Sequence, residues 1–254
     1  MRKCLSFDIP AMLRSLLVLA LALSILLAFA YEVRAETKQG TQVVQWPYAA
    51  GEPKKEELAE KLTARNFVLV FDGSGSMQEK RCSGQRTKLE VAKDAVVEWS
   101  STVPADANIG LVAFHDNTWS KLPVATGNRD QFIRIVGKIA AGGGTPLDEA
   151  VSTAYDMLTQ QAQRQLGYGQ YTIVVVTDGM ANNPAALTAV VNRILAGSPI
   201  VVYSIGFCIG PGHSLNQRGR TIYKTANDPV ALRRGLKDVL AEAETFDVSD
   251  FGKK

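Results

Sequence analysis

Between residues 66 and 246, short apolar runs alternate with longer stretches in which apolar residues recur at helical spacing. Runs such as FVLVF at 67–71 and VVV at 174–176 are typical of strands that are buried on both faces of a sheet. The stretches between the runs have the three-to-four-residue period of amphipathic helices. This alternation predicts right-handed β-α-β units within one doubly wound α/β domain.

The predicted sheet is mainly parallel, with six strands and with helices on both faces. Residues 108–115 and 118–124 form two strands joined by a tight turn at Asp116-Asn117, so we expect 118–124 to be an antiparallel edge strand. A short run at 222–225 is expected to be the last strand, and a final helix follows it.

The stretch after the first strand, residues 86–100, has the pattern of an amphipathic helix. Its apolar residues fall on one face, and they are Leu89, Ala92, Val96 and Trp99. Lys88 falls outside this face, so the pattern assigns it to the polar side of the helix.

The N-terminus has the features of a secretory signal. Basic residues precede seventeen residues without a charge at 15–31, and Val33 and Ala35 provide a small-residue cleavage site. We therefore expect a signal peptide at 1–35 and an exported protein, either periplasmic or secreted. An uncleaved anchor, which would hold the protein at the membrane facing outside the cytoplasm, stays open because seventeen apolar residues reach the lower limit of a span.

Four segments follow from these patterns. Residues 1–35 are the signal segment, 36–65 a leader, 66–246 the α/β domain and 247–254 a C-terminal tail. The leader contains a stretch at 54–65 that is rich in helix formers, which predicts a short helix. Trp46 and Tyr48 in the leader have two possible roles, docking on the domain or contacting something else.

Charge excludes one class of partner. The formal net charge is only +3 and there is no dense run of Lys and Arg, so we expect no nucleic-acid partner.

Polar residues collect at the carboxyl ends of the predicted strands, where ligands bind in sheets of this kind. Asp72, Ser74 and Ser76 follow the first strand, Thr145 follows a run of three glycines, and Asp178 follows VVVT. These side chains offer only oxygen, which suits hard cations such as Mg²⁺. The glycine run would let the backbone approach such an ion closely. Alternate positions in a short extended turn let Asp72, Ser74 and Ser76 face the same way.

The ordered motifs DGSGSM at 72–77, GGGTPL at 142–147 and VVVTDG at 174–179 resemble those of the von Willebrand factor A (VWA) domain, which has a Rossmann-like fold. The resemblance covers about 66–246. It implies an intact metal-ion-dependent adhesion site in which Ser74, Ser76 and Thr145 contact Mg²⁺, or Mn²⁺ in its place, directly or through water. Asp72 and Asp178 would supply negative charge, partly through waters.

The resemblance also implies how such a site works. One coordination position is left for an acidic side chain, Asp or Glu, of a partner protein, as in adhesion or assembly. Two carboxylates neutralise a divalent ion, so an incoming third carboxylate is still attracted.

Other functions stay open at this point. A nucleophile elbow and a phosphate-binding loop are both ruled out by the residues around Ser74 and Thr145. An Mg²⁺-dependent hydrolase with Asp72 as base is conceivable, although no dedicated general acid is visible, so we expect a protein that is not an enzyme. The cation could also act only to order the loops of a structural module.

Two cysteines remain after the signal segment, Cys82 and Cys208, and both are expected in loops at the metal-binding edge. Export favours a disulfide between them, and the alternative is a pair of isolated thiols. The loop 208–221 contains Arg218 and Arg220 and either selects acidic partners or is simply solvated.

Overall fold

One mixed sheet of six strands forms the centre of the domain, in the order β3-β2-β1-β4-β5-β6. The β2–β3 pair is antiparallel and the other neighbouring pairs are parallel. The predicted fold class is therefore confirmed, including the antiparallel edge strand. The strands are β1 (Arg65–Gly73), β2 (Asn108–His115), β3 (Thr118–Ala125), β4 (Gln170–Thr177), β5 (Val201–Phe207) and β6 (Ile222–Ala226).

The structure is a computed structural model that describes residues 46–48 and 58–244, with side chains up to residue 241. The predicted signal segment at 1–35 and the predicted tail at 247–254 lie outside the described residues. In the described ranges, no helix is long and apolar enough to cross a membrane.

Helices cover both faces of the sheet. Their bounds are α1 (Lys88–Thr102), α2 (Arg129–Lys138), α3 (Leu147–Arg164), α4 (Pro184–Gly197) and α5 (Pro229–Glu244), and a 3₁₀ turn at Gly75–Gln78 follows β1. One apolar core contains residues of α1, α2 and α5, and the other contains residues of α3 and α4.

Strand β1 belongs to both cores because its side chains alternate between the two faces. Phe67 and Phe71 pack with α1, whereas Val68 and Val70 pack with α3 and α4. All four side chains are buried. The strand that precedes Asp72 is thus fixed from both sides.

The start of α1 is fixed by a capping box. The Thr87 hydroxyl accepts a hydrogen bond from the Glu90 N–H (3.2 Å), and the Glu90 carboxylate accepts one from the Thr87 N–H (2.8 Å). This cap fixes the position of Lys88, the first residue of α1, and therefore the point at which its side chain leaves the helix.

Residues 58–64, the second part of the helix predicted at 54–65, form turns and no helix; residues 54–57 lie outside the described residues. The backbone groups in this stretch bind the domain. The Ala59 N–H donates to the Arg164 carbonyl (2.8 Å), and the Lys61 carbonyl accepts from the Gln165 amide (3.1 Å). The Lys61 ammonium pairs with Asp106. Local helix propensity is overridden by these tertiary contacts.

A buried network of amides closes the N-terminal end of β1. The Asn66 amide donates to the Gln165 side-chain oxygen (2.8 Å) and to the Ala64 carbonyl (2.8 Å). The Asn108 amide donates to the Asn66 side-chain oxygen (2.8 Å), which ties β2 into the same network.

Residues 46–48 dock near this end of the sheet. The Trp46 indole N–H donates to the Thr159 hydroxyl (3.1 Å), and the Trp46 ring meets Tyr171 edge-on with centroids 4.9 Å apart. The Pro47 carbonyl accepts from Gln163 (3.1 Å). Of the two possible roles of Trp46, the structure shows docking on the domain.

Replacing Asn66 with Ala is expected to lower the free energy of unfolding by about 2–3 kcal/mol, because the buried amide of Asn108 and oxygen of Gln165 lose partners. Urea unfolding followed by circular dichroism measures this change. Gln160→Ala, an amide lost from an exposed position of α3, is the matched control and should change stability by no more than about 0.5 kcal/mol. Equal stability of the two variants would contradict the network's role.

Candidate metal centre

Three loops meet at the carboxyl ends of β1 and β4, which are neighbours in the sheet. The loop before α3 is joined to the loop after β1 through its backbone. The Gly142 N–H donates to the Gly73 carbonyl (2.9 Å), and the Gly75 N–H donates to the Gly143 carbonyl (3.1 Å). Polar side chains from three separate parts of the chain are brought together there.

Asp72 is fully buried at the end of β1. One carboxylate oxygen accepts from the Ser74 N–H (2.8 Å) and the other from the Thr177 hydroxyl (2.6 Å). Burial raises the pKa of Asp72 to about 6, although the hydrogen bonds from Thr177 and Ser74 favour the charged form. A carboxylate that is so fully removed from solvent is stabilised by a nearby positive charge.

Ser74, Ser76 and Asp178 form a chain of oxygen atoms next to Asp72. The hydroxyl oxygens of Ser74 and Ser76 lie 3.1 Å apart, and the Ser76 hydroxyl donates to Asp178 Oδ1 (2.6 Å). The hydroxyls of Ser76 and Thr145 both lie close to Gly179. A Cβ built on Gly179 would be 3.5 Å from the Ser76 hydroxyl and 3.8 Å from the Thr145 hydroxyl.

Thr145 is held in place through its backbone. Its N–H donates to the Asn182 side-chain oxygen (2.9 Å), and its carbonyl accepts from the Asn182 N–H (2.9 Å). All five residues predicted to bind metal therefore surround the carboxyl ends of β1 and β4.

The chemistry of this group fits a hard divalent cation. Across residues 46–48 and 58–244, no three Asp, Glu, His or Cys side chains group as metal ligands. Asp72 and Asp178 instead offer two carboxylates with the hydroxyls of Ser74, Ser76 and Thr145. Such a set of few carboxylates and several neutral oxygens suits Mg²⁺, which retains waters of its own.

The glycine run packs between loops, which is a role that the sequence did not predict. A Cβ on Gly142 would come within 3.0 Å of Asp116, one on Gly143 within 2.8 Å of Asn117, and one on Gly144 within 2.8 Å of Asn182. Gly143 also has a positive φ of 75°. These glycines are required because the loops after β1, β2 and β4 approach them closely.

Lys88 lies inside this group, contrary to the prediction that it belongs to the polar side of α1. Its side chain is 1% exposed, and its ammonium donates to Asp178 Oδ2 (2.8 Å) and to the Glu79 carboxylate (2.7 Å). Burial disfavours the charged form, but these two hydrogen bonds outweigh it and hold the pKa of Lys88 above its ordinary value. Lys88 shares the buried face of α1 with Ala92 and Trp99, so its charge, and not its position on the helix, led to the wrong assignment.

His213 fixes the turn that follows Asp178. Its Nδ1 accepts from the Leu215 N–H (3.1 Å), so Nε2 carries the proton and donates to the Gly179 carbonyl (3.0 Å). Burial lowers the pKa of His213, with the hydrogen bond to Gly179 opposing the shift. The sequence predicted only a loop residue here, and no local pattern marks the contact.

A disulfide joins Cys82 to Cys208, with Cα atoms 5.8 Å apart. It connects the loop after β1 to the loop after β5, as the sequence favoured. The Arg81 guanidinium adds a hydrogen bond to the Cys208 carbonyl (3.2 Å). The disulfide therefore ties the loop that carries Glu79 to the loop that carries His213.

Within the loop 208–221, Arg220 binds the domain surface. Its guanidinium donates to the Asn192 side-chain oxygen of α4 (2.6 Å) and to Gln217 (3.1 Å). Arg220 thus contributes to holding the loop against the helix.

Apolar side chains stand at the rim of the site. Met180 is 51% exposed directly after Asp178-Gly179, and Trp119 is 39% exposed on β3. A cavity of about 180 Å³ lies beside Thr145 and is lined in part by Trp119, Asn117 and Asn182. Exposed large apolar side chains around a polar centre are typical of protein-binding surfaces.

Comparison with known proteins gives one family match: residues 67–181 match the model of the von Willebrand factor type A domain. Inter alpha-trypsin inhibitor heavy chain 4 of Mus musculus is 26% identical over 163 residues. The match covers 60% of this chain and 16% of that protein, so the chain spans only a small part of its relative's length.

Two solved structures share the fold. The PilB minor pilin from Streptococcus sanguinis has a TM-score of 0.57 at 15% identity, covering 76% of this chain and 63% of that chain. The manganese-loaded TRAP protein of Plasmodium vivax has a TM-score of 0.52 at 18% identity, covering 70% of this chain and 74% of that chain.

Replacing both Cys82 and Cys208 with Ser is expected to lower the free energy of unfolding by about 4–5 kcal/mol, because the disulfide closes a loop of 126 residues. Guanidinium unfolding of the oxidised protein and the variant measures the difference. Wild-type protein unfolded in the presence of a reductant serves as the control and should match the variant. A difference below about 1 kcal/mol would show that the bridge does not constrain the unfolded chain.

Proposed function

We propose that this chain, whose residues 67–181 match the model of the von Willebrand factor type A domain, is an exported protein-binding module that depends on a divalent cation. Asp72, Ser74, Ser76, Thr145 and Asp178 hold Mg²⁺ or Mn²⁺. The ion keeps one position for the carboxylate of an Asp or Glu side chain on a partner protein. The module serves adhesion or assembly, and the protein is periplasmic or secreted.

The observation that carries the proposal is the continuous group of oxygen atoms at the ends of β1 and β4. The hydroxyls of Ser74 and Ser76 lie 3.1 Å apart, and Ser76 is 2.6 Å from Asp178. Asp178 is already paired with Lys88, but the buried carboxylate of Asp72 accepts from the neutral donors Ser74 and Thr177 and is costly unless positive charge stands near it. A cation bound by these oxygens would offset that cost and act as a Lewis acid toward an oxygen ligand.

The surroundings of the site support a protein partner. Met180 and Trp119 offer exposed apolar area beside the site, as expected for the contacts around a central polar anchor. Solved structures with this fold include a minor pilin and a pilus adhesin. The disulfide between Cys82 and Cys208 supports an oxidising compartment.

The contacts of the two histidines support a binding module over a hydrolase. The sequence has only two histidines. His213 uses both ring nitrogens in hydrogen bonds to the backbone, and the His115 ring bonds the Ser120 hydroxyl (2.9 Å) on β3. Among the described residues His115 Nδ1 has no hydrogen-bond partner, but it is buried, whereas a general base needs a nitrogen within reach of the reacting proton.

Calorimetric titration of the chelator-stripped, oxidised protein with Mg²⁺ and with Mn²⁺ tests the proposal. We expect binding at one site, and Asp72→Asn and Ser76→Ala should each weaken it by at least about tenfold because the first removes a negative charge and the second a hydroxyl ligand. Asp130→Asn, which removes a carboxylate from an exposed position of α2, is the matched control and should bind as the wild type does.

Circular dichroism of each variant establishes that the fold is intact. The proposal is overturned if the wild type binds neither ion, or if Asp72→Asn binds both with unchanged affinity.

A further inference from the structure

Lys88 is a buried positive charge at a position where three separate effects disfavour the charged form. Its side chain is 1% exposed, so the ammonium has lost most of its hydration. It is the first residue of α1, and the N-terminus of a helix disfavours positive charge. It also lies beside the residues proposed to bind a cation.

The contacts of Lys88 determine how Asp178 faces the site. Asp178 Oδ2 accepts from the Lys88 ammonium (2.8 Å), whereas Oδ1 accepts from the Ser76 hydroxyl (2.6 Å). Only Oδ1 is thus directed toward the other proposed ligands. Asp178 presents a single oxygen, and its negative charge is shared with Lys88.

The charges around the site then sum to a specific value. Asp72 and Asp178 contribute two negative charges and Lys88 one positive charge, which leaves one negative charge before any cation binds. Glu79 also pairs with Lys88, but its side chain is 56% exposed, so water screens its charge. With a divalent cation bound, the buried group carries a net charge of about +1.

We infer that Lys88 is a specificity-determining residue that strengthens the binding of a carboxylate ligand at the expense of the affinity for the cation itself. The inference rests on the proposed function. Without Lys88, the two carboxylates would neutralise a divalent ion, and a third carboxylate would be attracted less strongly. With Lys88, the bound ion remains under-neutralised, so an acidic side chain of a partner completes the charge balance.

The inference predicts two changes of opposite sign in one variant. Lys88→Met removes the charge and keeps an apolar side chain of similar length. We expect Mn²⁺ to bind about tenfold tighter, and a carboxylate ligand to bind the Mn²⁺-loaded protein about tenfold more weakly, because a buried unit charge near both is lost. A merely structural role for Lys88 would weaken both.

The measurement uses full-length oxidised protein. Calorimetry gives the Mn²⁺ affinity, and the water-proton relaxation of bound Mn²⁺ reports the displacement of a coordinated water by a peptide. The probe is the capped tripeptide Gly-Glu-Gly, with Gly-Gln-Gly as its uncharged match. Lys93→Met is the matched control on the same helix, where the Lys93 ammonium donates to the Gly137 carbonyl (3.0 Å), and it should leave both affinities unchanged.

A second variant keeps the test decisive if Lys88→Met fails to fold. Glu79→Gln alters a half-exposed side chain and leaves Lys88 less compensated. It should therefore weaken Mn²⁺ binding and strengthen Gly-Glu-Gly binding, each by about twofold because of screening. The signs are opposite to those of Lys88→Met.

The outcomes separate this inference from the proposed function. If the wild type binds no Mn²⁺, this inference is overturned, and if it binds neither Mn²⁺ nor Mg²⁺, the proposed function is overturned as well. If the wild type binds Mn²⁺ but Lys88→Met loses affinity for both ion and peptide, or changes neither, Lys88 is only a structural residue and the proposed metal site stands. Shifts of Glu79→Gln in the same direction for ion and peptide also overturn the inference.

Discussion

The parallel pairing of β1 with β4 is the constraint on which the site depends. Phe71 pairs with Val176 in this register, so both strands end at the same level. Thr177 then reaches the carboxylate of Asp72 at 2.6 Å, and Asp178 reaches Ser76 at 2.6 Å. A shift of one residue between the two strands would turn alternate side chains to the opposite face and separate these groups.

Electrostatics sets a second condition, because the site contains several buried charges and an unpaired charge is costly in a protein interior. Asp72 is buried enough for its pKa to rise to about 6, while Asp178 is paired with a buried ammonium. The two carboxylates are therefore not equivalent. Asp72 accepts hydrogen bonds from the neutral donors Ser74 and Thr177, whereas the charge of Asp178 is offset by Lys88.

Much of the fold could be predicted from the sequence because it depends on local patterns. Continuous apolar runs identified the buried strands, and helical periodicity identified the helices between them. The five proposed metal ligands could be named because Asp72, Ser74 and Ser76 are close in sequence and the other two lie in short motifs at strand ends. Their arrangement, however, required the strand order.

The missed features share one physical cause, which is that their partners are distant in the chain. Lys88 lies on the buried face of α1 with Ala92 and Trp99, but the partner that compensates its charge there, Asp178, is 90 positions away in the chain. His213 and the glycine run likewise follow from contacts between loops. The helix expected at 54–65 is absent over 58–64 because Arg164 and Gln165 bind its backbone.

The docking of Trp46 has a mechanical consequence. Trp46 contacts Tyr171 at the start of β4, whereas the candidate metal centre lies beyond the end of that strand. If a force pulled on the chain before Trp46 while a partner was bound at the candidate metal centre, the force would act along the strands. The hydrogen bonds between β1 and its neighbours would then be loaded together in shear, so the sheet would share the force along its whole length.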